Sequence, residues 1–239
     1  MNTKSNDPGS SALDEENARA ELYGLLSMLW LSPPDPEVWK ALQLAVTEAP
    51  VAGAFLEEPW QQLVARSRDR ALDDVAREFE DLFGGVGKPD IDLFGSVYQA
   101  GFLNERPLAD LRDELAELGL QPNPDAAVAT EDHIAYLFEV MRFLIAGDDV
   151  AVCNLTRQQA FFNRHLQAWV DALCQAIEDH PKAAFYAAVA GLTRAAYMRE
   201  LHGDLTGAID LMRSAYDSTA SKETEDRAWL LTQLSHLHM

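Results

Sequence analysis

Apolar residues recur at three- and four-residue spacing from one end of the chain to the other, with little of the strict alternation that marks a half-buried strand. That periodicity predicts an all-α fold of about ten helices. The first is expected to begin after Ser11, where Asp14 completes a variant of the capping box, and to run to Leu31. Pro33, Pro34 and Pro36 stop it and start the next, because proline lacks the N–H that a helix interior needs yet suits a first turn. Shorter helices are predicted over 36–48, 51–67 and 69–83, the last closed by Gly84, Gly85, Gly87 and Pro89. Residues 95–103 read as a helix or an ordered turn, and 108–118 as a helix that Gly119 ends in the left-handed conformation.

Gln121, Pro122, Asn123, Pro124 and Asp125 then concentrate helix breakers between two strongly periodic regions. The expected organisation is a two-lobed helical bundle: residues 1–12 disordered, 13–120 an N-terminal lobe, 121–130 a linker or hinge, and 131–239 a C-terminal lobe. Such a linker also lets lobes exchange between chains, so the expected state is a monomer or a domain-swapped dimer. In the second region Thr130 is expected to cap a helix reaching Ala146, with Glu131 and Asp132 in its first turn, where the helix dipole favours negative charge. One long amphipathic helix is predicted over 156–178, and three more over 182–201, 204–217 and 222–237.

With 239 residues, 48% of them hydrophobic, the chain can bury a sizeable core. Its longest apolar stretch, Leu25 to Leu31, is far short of the ~20 residues that span a bilayer. The first eleven residues are polar and carry Pro8 and Gly9, unlike the basic-then-apolar layout of a secretory signal, so the expected location is cytoplasmic. A net charge of −20, from 39 acids against 19 bases, opposes nucleic acid and anionic lipid as partners. It suits a basic partner segment, through an attraction that salt weakens. Cys153 and Cys174 form no Cys-x-x-Cys or Cys/His cluster and are expected as buried free thiols in helical stretches.

Catalytic motifs are missing. Gly84 to Pro89 has the wrong glycine spacing for a phosphate loop, and Pro89 stands where the hydroxyl after Lys88 would be needed. No Glu has a His three residues later, there is no His-Glu-x-x-His, and the six histidines are scattered, so neither a di-iron nor a zinc centre is expected. No Gly-x-Ser-x-Gly elbow appears, and neither cysteine sits in an electropositive setting. The reading is a non-enzyme without cofactor or metal.

Arg19 to Pro33, Phe79 to Gly84 with Phe94 to Tyr98, and Glu131 to Ile134, in that order, resemble stretches of the TorD/DmsD/NarJ family, the cytoplasmic chaperones of molybdenum-containing oxidoreductases. Arg19 to Pro33, with Tyr23, Leu26 and Trp30 at helical spacing, is similar to the family's opening helix. Phe79 to Gly84, followed by Phe94, Gly95, Ser96, Val97 and Tyr98, resembles the family's paired Leu-Phe-x-Gly and Gly-Ser-Val-Tyr stretches. Glycines there permit tight turns, and the two hydroxyls are suited to a bound peptide's backbone. Glu131, Asp132, His133 and Ile134 resemble the family's Asp-His motif at a helix start, and Phe162 to Trp169 resembles part of its C-terminal lobe. The family often has Glu-Pro before Asp-His, where Ala129 and Thr130 stand here.

This resemblance implies a protein that binds the twin-arginine leader and the apo form of a molybdopterin oxidoreductase until its cofactor is inserted. Its partners would be the apo-molybdoenzyme catalytic subunit and its signal peptide. Such a leader pairs arginines with an apolar run, so its cleft needs acids beside an aromatic wall. Asp132 and Glu131 are the expected acids, Phe83, Phe94 and Tyr98 the expected wall, and His133 and Ser96 complete the expected peptide-binding set. The alternatives are an unrecognised helical enzyme or cofactor carrier, which a turnover screen or metal analysis would reveal, and an acidic structural adaptor.

Overall fold

Several helix ends in this chain are set by side chains that take up the backbone groups a helix end leaves orphaned. The structure, a computed structural model, describes residues 8–47, 56–85, 87–121 and 129–202. Among them ten α-helices follow one another: α1 (Pro8–Leu31), α2 (Pro36–Leu44), α3 (Glu57–Arg68), α4 (Leu72–Phe83), α5 (Gly95–Ala100), α6 (Arg106–Glu117), α7 (Ile134–Ala146), α8 (Leu155–His165), α9 (Val170–Glu178) and α10 (Phe185–His202). The all-α expectation holds. Most of the expected 121–130 linker, the start of the 51–67 helix, and the helices at 204–217 and 222–237 lie outside the described residues.

Asp35 begins α2, its carboxylate accepting the N–H groups of Glu37 and Val38 at 2.8 and 2.9 Å beside Pro36 at the first position. The helix ends at Leu44 and not at 48 because α3 takes its last carbonyls. Arg68 donates to the oxygens of Gln43 and Ala45, and the Trp60 indole to that of Val46. At the end of α6, Gly119 has φ +75°. Its N–H bonds to the Ala116 oxygen and that of Leu120 to the Leu115 oxygen, the paired bonds of a Schellman turn.

Three further predicted boundaries are corrected, the first being that of α1, which begins at Pro8 and not after Ser11. The helix expected from Thr130 begins at Ile134, with His133 as its cap: the imidazole Nδ1 accepts the Ala135 N–H at 3.2 Å. Thr130 does not cap, because its hydroxyl is engaged by Asp132. The single helix expected over 156–178 breaks between His165 and Val170. Leu166, Trp169, Val170 and Leu173 are all buried and keep helical spacing through the break, so the apolar pattern conceals it. Cys174 is buried in α9 as expected, whereas Cys153 is partly exposed in the loop before α8; both are free thiols.

The core is built on α1 lying along α7, with α10 packed on α9 and α3. Leu26, Leu29 and Trp30 of α1 meet Ile134, Met141 and Leu144 of α7 in a single buried cluster that also contains Phe161, Leu173, Phe185 and Val189. Polar anchors fix the register. The Ser27 hydroxyl donates to the Ala135 oxygen at 2.9 Å, and the Trp30 indole to Thr193 at 3.0 Å. Among the described residues no helix is long and apolar enough to cross a membrane.

One cap comes from far along the chain. Glu78 of α4 is buried, and its carboxylate accepts the N–H groups of Ala184, Phe185 and Tyr186 at 2.7, 3.1 and 2.8 Å, so it satisfies the first turn of α10. Glu78→Ala removes all three acceptor contacts and should lower unfolding free energy by ~2–4 kcal/mol in urea denaturation. Glu78→Gln keeps one acceptor oxygen and should lose less; equal losses would mean that packing, not capping, is what Glu78 supplies.

Candidate functional site

Residues 93–95 and 132–134 run antiparallel for one pair of hydrogen bonds. The Gly95 N–H donates to the Asp132 oxygen and the Ile134 N–H to the Leu93 oxygen, each at 2.9 Å, leaving Phe94 and His133 opposite each other. The Gly-Ser-Val-Tyr and Asp-His stretches therefore form one junction. Asp132 is 3% exposed. Its Oδ2 accepts the Ser96 N–H at 2.9 Å, and its Oδ1 accepts the Thr130 hydroxyl at 2.7 Å. Both oxygens thus face inward and tie the start of α5 to the start of α7.

The other face of α5 rests on Trp169, in the turn between α8 and α9. The Tyr98 ring stacks on this indole at 5.2 Å and 27°, while the Tyr98 hydroxyl donates to the Asp92 oxygen at 3.0 Å. Burial, with Asp92 adding repulsion, holds the Tyr98 phenol well above its usual pKa. A side chain at Gly95 would start 3.1 Å from the Trp169 Nε1, so any other residue would require the indole to shift by a few tenths of an ångström. Trp169 is fixed in turn by donating to the His165 oxygen at 2.6 Å. The His165 ring meets Glu114 of α6 at 2.9 Å, and Arg164 meets the same carboxylate. The pair α5–α6 is thus docked on α7 at one end and on the α8–α9 turn at the other.

The expected residues separate into three groups. Phe94 and Tyr98 are half-buried at the junction, whereas Ser96, Asp132 and His133 lie beneath it; the Ser96 hydroxyl is buried without a hydrogen-bond partner. Glu131 sits at the rim, where Oε2 accepts from Arg112 Nη2 and Nε at 2.7 and 3.0 Å. Burial alone would raise the Glu131 pKa, but the Arg112 guanidinium outweighs it and holds the carboxyl below its usual value. Phe83 lies apart, its ring against Trp30, Phe79 and Tyr186.

Sequence reasoning did not assign Trp169, Thr130, Arg112 or Glu114 to the site. The contact between α5 and Trp169 spans three helices, α6 to α8, and no local spacing announces it. Exposed apolar surface on the same hairpin was also missed: Phe102 is 72% and Leu103 47% exposed, in a turn held by Gly101 at φ +85° and Asn104 at φ +61°. Among the described residues no group of three or more His, Cys, Asp or Glu side chains is placed to hold a metal. The arrangement offers aromatic faces and a rim carboxylate, which suits binding.

His133 is neutral in this setting. Burial pushes its pKa from 6.5 down to about 4, only partly opposed by the Asp132 charge, and the Ala135 N–H requires an unprotonated Nδ1. Between these values the unfolded chain takes up a proton that folded His133 refuses, so its contribution is full above pH ~6.5 and falls away towards pH ~4. The change is on the order of 3 kcal/mol. Glu131, with its lowered pKa, loses its share at lower pH still. His133→Asn keeps a capping acceptor and should make the pH dependence of denaturant stability shallower across about pH 4 to 7, leaving the share of His165, whose pKa burial also lowers. An unchanged slope would show that the imidazole titrates alike in both states.

A family model described as the nitrate reductase delta subunit matches residues 50–175, a range that includes α5, the 131–134 turn and Trp169. The "Chaperone protein TorD" of Aliivibrio fischeri (strain ATCC 700601 / ES114) is 27% identical over 191 residues, covering 73% of this chain and 88% of that protein. The "Chaperone protein TorD" of Vibrio atlanticus (strain LGP32) is 28% identical over 135 residues, covering 53% of this chain and 62% of that protein. With more than half of its length matched by the family model, and with the Gly-Ser-Val-Tyr and Asp-His stretches joined in one junction, the chain belongs to the nitrate reductase delta subunit family, the TorD-like group.

Proposed function

We propose that this protein is a cytoplasmic maturation chaperone, not an enzyme, that binds the twin-arginine leader and the apo form of a molybdopterin oxidoreductase until cofactor insertion. The observation that carries this reading is the joining of the two family stretches at one junction. Its half-buried rings lie on the same hairpin as an exposed apolar turn. Names of the relatives point the same way, since both are chaperones. In this reading the client's apolar run lies against Phe94, Tyr98 and the Phe102–Leu103 turn, and a client arginine meets the rim at Glu131. Ser96, Asp132 and His133 lie beneath that surface, and Phe83 belongs to a separate aromatic cluster.

Long-range electrostatics favour the encounter. A chain of net charge −20 attracts a basic leader, and the attraction falls as salt shortens the Debye length. Isothermal titration with a synthetic twin-arginine leader should show affinity that declines with salt. Replacing Phe102 and Leu103 together by Ser should weaken binding by ~1–3 kcal/mol, the cost of removing two apolar anchors, with little change in melting temperature because both side chains are exposed. Unchanged affinity in that variant would move the contact surface elsewhere, and a wild-type protein that ignores the leader would sink the functional reading itself.

A further inference from the structure

We propose that Asp132 is a positioning residue: it fixes the first turn of α5, and thereby the Tyr98 face, for the client segment, and does not itself meet the client's arginines. This rests on the leader-binding reading above and departs from the expectation that Asp132 supplies a guanidinium contact. Two observations carry it. The carboxylate is almost wholly buried, and each oxygen already accepts one internal donor: the Ser96 N–H at 2.9 Å and the Thr130 hydroxyl at 2.7 Å. A guanidinium fork binds a carboxylate through two oxygens presented together on an open edge. Here no such edge reaches solvent, and an incoming arginine would have to break the turn that holds α5.

The second observation concerns what the carboxylate holds. Helix α5 has only six residues, so most of its N–H groups lack intrahelical partners and its position must come from outside. Asp132 supplies the acceptor for Ser96, and its own main-chain oxygen supplies the one for Gly95. Those two bonds set the distance between Gly95 and the Trp169 indole, and so the stacking of Tyr98 on it. The requirement on residue 132 is an acceptor of the right reach. It is not a negative charge.

That distinction gives the test. An Asn at this position presents Oδ1 to the Ser96 N–H and Nδ2 to the Thr130 oxygen, so Asp132→Asn should bind the twin-arginine leader within about threefold of wild type and keep the same salt dependence. Asp132→Ala should lose about tenfold or more, the effect of leaving the first turn unheld. Rescue by Asn is something a charge contact cannot give. If Asp132→Asn loses as much as Asp132→Ala, with a shallower salt dependence, the carboxylate meets the arginine directly and the proposal fails. It also fails if Asp132→Ala binds like wild type.

A second readout needs no client. The indole N–H resonance of Trp169, assigned with Trp169→Phe, and the exchange rate of the Ser96 amide should change in Asp132→Ala and stay near wild type in Asp132→Asn. Thr130→Val, which removes only the second donor, should give an intermediate result if the alanine variant folds poorly. A wild-type protein that fails to bind any leader overturns the functional reading, while these resonances still decide whether Asp132 positions α5.

Discussion

A six-residue helix closes too few of its own hydrogen bonds to persist alone, and α5 is held by a carboxylate that lies 36 residues further along the chain. From that bond the rest of the functional region follows. With Ser96 and Gly95 fixed, Trp169 can approach the glycine backbone, and Tyr98 can lie flat on the indole. The docked α5 carries α6 with it, which brings Glu114 to His165 and Arg112 to Glu131. Ordering these side chains costs conformational entropy, and burial of Trp169, Leu108 and Leu111 against the main core offsets it.

The acidic composition hides a division of labour. Glu78, Glu114 and Asp132 are buried, and each accepts at least two hydrogen bonds or ion-pair contacts, from the first turn of α10, from Arg164 and His165, and from Ser96 and Thr130 respectively. A buried carboxylate is tolerated only on such terms, because the cost of desolvating a charge must be met by several directed bonds. Among the described side chains every other Asp and Glu is partly or fully exposed, where its charge favours solubility and sets the sign of attractive partners.

What the sequence made legible is what short-range physics encodes. Helical periodicity, the prolines after Leu31 and Gly119 after α6 are local signals, and the helices they mark were placed within a few residues. Thr130 shows the limit of such reading: a threonine before two acids looks like a cap, but a side-chain bond to Asp132 takes its hydroxyl and the cap passes to His133. The break after His165 was invisible because apolar spacing continues through it. The site was legible as a set of residue types, since the Gly-Ser-Val-Tyr and Asp-His stretches stand out. Which of those residues face outward was not legible, because the burial of Asp132 is decided by Thr130 and Ser96, and the place of Phe83 by Trp30 and Tyr186.

Arg19 ties the first described helix to the last described one. This guanidinium, 5% exposed in α1, bonds to both carboxylate oxygens of Glu200 at 2.9 and 3.0 Å, as well as to Glu16 and Gln158. Burial alone would lower its pKa, but the Glu200 and Glu16 carboxylates outweigh that and raise it. Pairing across 181 residues is an interaction of high contact order, which carries its loop-closure cost before any reward. During synthesis α1 is made early, yet its cation is fully matched only when α10 arrives. Until Glu200 is in place, α1 carries an incompletely neutralised cation on a face that the fold buries.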